Sequence, residues 1–102
     1  MRKYLTMVVL LIMSIPMFAQ QHSVKGTVVD QNGQPIIGMT VMEQGTQNGT
    51  TTDIDGNWHL RVSSGKATLE FSALGYVSVT ENVNNRAVID VTAAEDAIML
   101  DA

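Results

Sequence analysis

Ala67-Thr68-Leu69-Glu70-Phe71-Ser72-Ala73 decides the fold. Ala67, Leu69, Phe71 and Ala73 take every second position and Thr68, Glu70 and Ser72 take the others, which is the period of a strand with one buried face and one wet face. Upstream, Trp58, Leu60 and Val62 alternate with His59 and Arg61 in the same way. They follow a short β-branched run, Thr50 to Thr52, and the turn Asp53-Ile54-Asp55-Gly56-Asn57, so the pair reads as a hairpin.

The pattern continues in both directions. Toward the N-terminus, Val24, Gly26 and Val28 alternate with Lys25 and Thr27, and Asp30-Gln31-Asn32-Gly33 supplies a turn, since Asn-Gly tolerates positive φ. Pro35 suits the edge or entrance of a strand. In Met39 to Glu43, Met39 and Val41 share a face, and Gln44 to Gly49 forms a polar loop. Beyond the deciding stretch, Tyr76 to Thr80 reads as a strand with Val77 and Val79 aligned, and Ala87, Ile89 and Val91 outline the last one. No helix is expected after residue 22. About seven short strands separated by Gly, Asn, Asp and Ser turns predict an all-β chain folded as a single seven-stranded β-sandwich. Its expected core includes Val28, Val41, Trp58, Leu60, Leu69 and Phe71.

The first residues obey a different rule. Arg2 and Lys3 form a basic start, Leu5 to Phe18 an apolar stretch broken by Pro16, and Ala19 offers a small residue for cleavage, the order of a secretory signal peptide. The stretch is too short and too interrupted by Thr6, Ser14 and Pro16 to span a bilayer, which takes roughly 20 apolar residues. Residues 1–19 are therefore assigned to the signal and 20–102 to one domain, with no membrane span in the mature chain. N-terminal sequencing of the exported protein should find Gln20 first; recovery of Met1 on a membrane-embedded product would contradict this. The sequence contains no cysteine, which excludes both a disulfide staple and a lipid-modified N-terminal cysteine.

Charge excludes further classes. The chain carries −4, and loss of Arg2 and Lys3 leaves four basic against ten acidic residues, or −6. Such a surface offers no electrostatic footprint for nucleic acid and no polybasic hold on anionic lipid.

Four places offer candidate chemistry. Asp53-Ile54-Asp55-Gly56-Asn57 brings two carboxylates beside a glycine, but an EF-hand loop needs Gly sixth and Glu twelfth. Here Gly56 is fourth and Ser64 twelfth. The expected role is structural, with Asp53 and Asp55 satisfying turn amides and Gly56 supplying positive φ. His22 and His59 lie in different segments and fall short of the three or four ligands of a zinc site. Trp58 and Tyr76 have rings suited to stacking on sugar, yet Trp58 shares its face with Leu60 and Val62 and is read as core. Asn48-Gly49-Thr50 matches a glycosylation sequon that a loop explains. No Gly-x-Ser-x-Gly elbow and no His-Glu-x-x-His occurs. No residue is assigned a catalytic, cofactor-binding or metal-binding role, and the chain is read as a non-enzyme without a cofactor.

Several stretches together resemble a known module. They are Val24 to Asp30, Gln34-Pro35-Ile36-Ile37-Gly38, Gly49 to Trp58 with its Thr-Thr-Thr-Asp-Ile-Asp-Gly-Asn, and Leu69-Glu70-Phe71-Ser72-Ala73-Leu74-Gly75-Tyr76. The chain is similar to the carboxypeptidase regulatory-like domain, which in Bacteroidetes commonly stands at the N-terminus of SusC/RagA-type TonB-linked outer-membrane transporters. The resemblance implies a prealbumin-like or immunoglobulin-like sandwich and a periplasmic accessory role. It also implies a covalent continuation into a TonB-contacting segment, a plug and a β-barrel, with a TonB system and a surface lipoprotein as partners. Residues 1–102 hold no barrel strands, so the sequence is expected to be a fragment of such a transporter. The alternative is a free exported module that binds a glycan or a protein through loops such as Gln44 to Gly49.

Overall fold

The computed structural model describes residues 21–96, so the signal assigned to 1–19 lies outside the described residues. Seven strands follow in order: β1 (His22–Asp30), β2 (Thr40–Glu43), β3 (Gly49–Thr51), β4 (Asn57–Val62), β5 (Thr68–Ser72), β6 (Val79–Asn82) and β7 (Val91–Ala93). No helix occurs among the described residues. The strands form two sheets, one ordered β4-β1-β7 and the other β3-β2-β5-β6. All neighbours are antiparallel except β1 and β7, which run parallel with Val28 beside Val91.

The expected alternation packs the space between the sheets. Val24, Val28, Val41, Trp58, Leu60, Val62, Leu69 and Phe71 are buried, joined by Ile36, Met39, Val83, Ile89, Val91 and Ala93. His59, Arg61 and Glu70 are exposed, while Thr68 and Ser72 are partly covered by neighbouring strands. Each large buried side chain contributes roughly 1.5–3 kcal/mol by leaving water. At the centre Trp58 and Phe71 meet edge to face, with ring centroids 5.3 Å apart and planes at 75°, a geometry that suits the aromatic quadrupoles.

Two strands differ from expectation. The stretch Tyr76 to Thr80 is not one strand: β6 starts at Val79, which packs against the core, while Val77, expected to align with it, is half exposed. The cause is a competing partner. Val77 N–H donates to the Ala94 carbonyl at 2.9 Å and Tyr76 bridges Glu95, which draws both residues off the ladder of β5. The last strand is likewise confined to Val91–Ala93, with Ala87 exposed and Ile89 buried. Here the ladder beside β1 is broken by a side chain, because Asp90 Oδ1 accepts the Thr27 N–H at 3.0 Å.

That break places the Ile89 carbonyl directly over Gly26. A Cβ added at Gly26 would lie 1.7 Å from Ile89 O, 2.6 Å from Ile89 C and 3.0 Å from Trp58 Nε1. Two of these atoms are backbone and cannot turn aside. Gly26→Ala is therefore expected to destabilise by roughly 1–3 kcal/mol, the cost of overpacking, as read by denaturant unfolding; an unchanged midpoint would show that the 86–90 segment yields freely.

Candidate functional site

Among the described residues a cleft of about 590 Å³ is lined among others by Lys25, Thr27, Thr51, Asn57, His59 and Asp90. It forms because β1 and β4 pair Lys25 with His59 and Thr27 with Asn57, and alternation sends these side chains away from the core. Several of its polar atoms serve the fold. Thr27 Oγ1 donates to Asn57 Oδ1 at 2.8 Å, and Asp90 holds the Thr27 amide. Among the described residues no hydrogen bond joins His59 to a hydroxyl or a carboxylate, so the cleft contains no assembled nucleophile and base.

The turn that borders the cleft is built as a closed unit. Asp53 Oδ1 accepts the amides of Asp55 at 3.0 Å and Asn57 at 2.9 Å, the Gly56 amide donates to the Asp53 carbonyl, and Gly56 has φ +77°. Asp53 carries the turn; Asp55, expected to share this work, contributes its amide, and among the described residues its carboxylate accepts no hydrogen bond. The same pattern occurs two strands earlier, after β1. Asp30 Oδ1 accepts from Asn32 and Gln34, and Gly33 donates to the Asp30 carbonyl at φ +82°. Asp-x-x-Gly appears in both stretches of the sequence, and that recurrence is the signal for two equivalent turns. With Asp53 committed to amides, thermal unfolding is expected to be insensitive to calcium. A rise in melting temperature lost in Asp53→Asn would overturn this.

The other candidate residues are dispersed. His22 Nε2 lies 2.6 Å from the Arg86 carbonyl, while His59 stands on the outer face beside Lys25. Among the described residues no group of three or more His, Cys, Asp or Glu is arranged to hold a metal. Trp58 is 4% exposed and belongs to the core, and Tyr76 is partly buried. Asn48 of the sequon donates its side-chain amide to Glu43 Oε1 at 3.1 Å and to the Arg61 carbonyl at 2.7 Å. It pins the 44–48 loop.

Two buried polar residues were not singled out from the sequence. Thr52 donates to the Ile36 carbonyl at 2.5 Å and accepts the Met39 amide at 2.9 Å, which fixes the crossing from one sheet to the other. Glu43 accepts from Ser63 Oγ at 2.5 Å, Ser63 N at 3.1 Å and Asn48. Burial acts to raise its pKa, but the Ser63 hydroxyl, the Asn48 amide and the Ser63 N–H outweigh it and hold the carboxyl below its ordinary value. Position 43 follows Met39 and Val41 at the inward-facing period, which is the signal that could have marked it.

Comparison with known proteins decides the family. The CarboxypepD_reg-like domain matches residues 24–102. This chain belongs to that family. The TonB-dependent receptor P39 of Formosa agariphila is 37% identical over 81 residues, and the TonB-dependent receptor SusC of Bacteroides thetaiotaomicron is 47% identical over 64. These alignments cover 79% and 63% of this chain but 8% and 6% of the receptors, so this CarboxypepD_reg-like chain spans a small part of the relatives' length. In three dimensions it resembles a chain of a type II cohesin–X-dockerin complex from Acetivibrio cellulolyticus, with TM-score 0.56 and 22% identity over 70% of this chain and 52% of that one. That likeness supports the immunoglobulin-like sandwich and nothing about ligands.

Proposed function

We propose that residues 20–102 form the non-catalytic N-terminal accessory domain of a SusC/RagA-type TonB-dependent outer-membrane receptor, held on the periplasmic side after removal of signal residues 1–19. The observation that carries this reading is the 37% and 47% identity to TonB-dependent receptors of which the domain makes up only 8% and 6%. Import itself belongs to the continuation, a plug and barrel energised by TonB, with a surface lipoprotein as outer partner. The domain contributes interaction or regulation. Two features support a non-enzymatic role: the cleft's Thr27, Asn57 and Asp90 are occupied by hydrogen bonds within the fold, and the relatives are named as receptors.

Placement can be tested directly because the sequence has no cysteine of its own. Glu70→Cys, at an exposed position of β5, is to be labelled in cells with a membrane-impermeant maleimide. Labelling only after the outer membrane is permeabilised is expected. Labelling of intact cells would instead favour a module displayed on the surface.

A further inference from the structure

Five large apolar side chains are exposed among the described residues, and four of them share one end of the sandwich. They are Ile37, Ile54, Leu74 and Val77, with exposures of 63%, 73%, 89% and 49%. Strand directions fix this placement. β1, β3, β5 and β7 finish at that end and β2, β4 and β6 start there, so residues 31–39, 52–56, 73–78 and 94–96 form its loops. These loops carry Asp53, Asp55, Glu95 and Asp96 and not one Lys, Arg or His. Lys66 and Arg86 lie in loops of the opposite end.

The turns themselves do not require apolar residues. Ile54 occupies the position after Asp53, and in the equivalent turn the position after Asp30 is Gln31. Both turns close with the same hydrogen bonds. An isoleucine 73% exposed at such a tip is therefore unexplained by the fold of the domain, and the exposure of Ile37, Leu74 and Val77 at the same end marks that end as an interaction surface. Its place on the molecule names the occupant. Asp96 N–H donates to the Gly75 carbonyl and Val77 N–H to the Ala94 carbonyl, each at 2.9 Å. The last described residues, 94–96, are thus tied to the very loop that presents Leu74 and Val77.

We propose that this acidic, apolar end docks onto the receptor's own polypeptide beyond residue 102, against a surface that offers apolar and basic side chains. The proposal rests on the receptor reading given above and names the internal partner of the domain. Apolar side chains at the centre of such a contact would supply its burial, and the acidic residues around them its orientation. Tethering makes a modest surface sufficient, since a covalently linked partner is present at high effective concentration.

The test uses the full-length polypeptide in its native membrane, with p-benzoylphenylalanine placed at position 54, at position 74, or at position 47 in the loop of the opposite end. Irradiation is expected to crosslink positions 54 and 74 to receptor residues beyond 102, mapped by mass spectrometry, and to give no such product from position 47. Asp55→Lys combined with Glu95→Lys, both on exposed loop positions, should cut the yield from position 74 at least fivefold. Crosslinks from 54 and 74 to a separate protein or to a second copy, equal yield from position 47, or no crosslink at all would each overturn the docking proposal. A native product with no polypeptide beyond this domain would instead sink the receptor reading on which it rests.

Discussion

Phe71→Ala is expected to lower the free energy of unfolding by roughly 3–5 kcal/mol, whereas Glu70→Ala, one residue away, should cost less than about 0.5 kcal/mol. Phe71 is fully buried at the middle of β5, opposite Val41 on β2 and against the edge of Trp58. Removing its ring opens a cavity between the two sheets, and the buried side chains packed around it keep the sheets from closing over it. Trp58→Ala should cost about as much for the same reason. Among the described residues the indole N–H of Trp58 is buried without a partner, a penalty that offsets part of its burial. Trp58→Phe should therefore be milder than Phe71→Ala. Denaturant unfolding of the four variants checks the ranking, and a Phe71→Ala midpoint equal to that of Glu70→Ala would contradict the assigned faces.

Glu43→Gln is expected to cost roughly 1.5–3 kcal/mol at neutral pH, the scale of hydrogen bonds to a charged group. The carboxylate receives three donors from Ser63 and Asn48, and the amide in its place offers one acceptor and two unwanted hydrogens. The loss should depend on pH. Because the folded protein holds the Glu43 pKa below its ordinary 4.5, the unfolded chain takes up the proton first as the solution is acidified. Stability from this group is complete above about pH 4.5 and falls as pH drops through the lower folded value. The gap between the parent protein and Glu43→Gln should narrow over that window. A gap independent of pH down to complete protonation would mean that the contact acts through shape and not charge.

The residues whose neighbours lie close along a strand were legible from the sequence. Trp58, Leu60, Val62, Leu69 and Phe71 face inward as their period dictates, because a strand admits only two directions for a side chain. Asp53 and Gly56 were legible as a turn for a similarly local reason, since an Asx side chain reaches only its own following amides. What period could not show was competition from distant segments. The ends of β6 and β7 depend on Ala94 capturing Val77 and on Asp90 capturing the Thr27 amide across 63 positions, and neither partner is announced by nearby residues. Glu43 and Thr52 escaped notice for the opposite reason. Each occupies an inward position, but the donors and acceptors that make burial tolerable come from residues 5 to 20 positions away. The parallel pairing of β7 with β1 is likewise a matter of topology that alternation does not encode. Of the candidate site, the lone residues Lys25 and His59 could be placed outward by alternation; that they line one cleft required the register of β1 on β4.

The receptor reading is tested most directly by the size and location of the native polypeptide that carries this domain. Membrane fractions of the source organism, probed with an antibody against residues 21–96, should show the epitope in the outer membrane on a chain many times the 11.1 kDa of the sequence described. Peptides of that chain should include sequence beyond residue 102. Recovery of the epitope only on a soluble product no larger than residues 20–102 would contradict the account and leave a free exported module in its place.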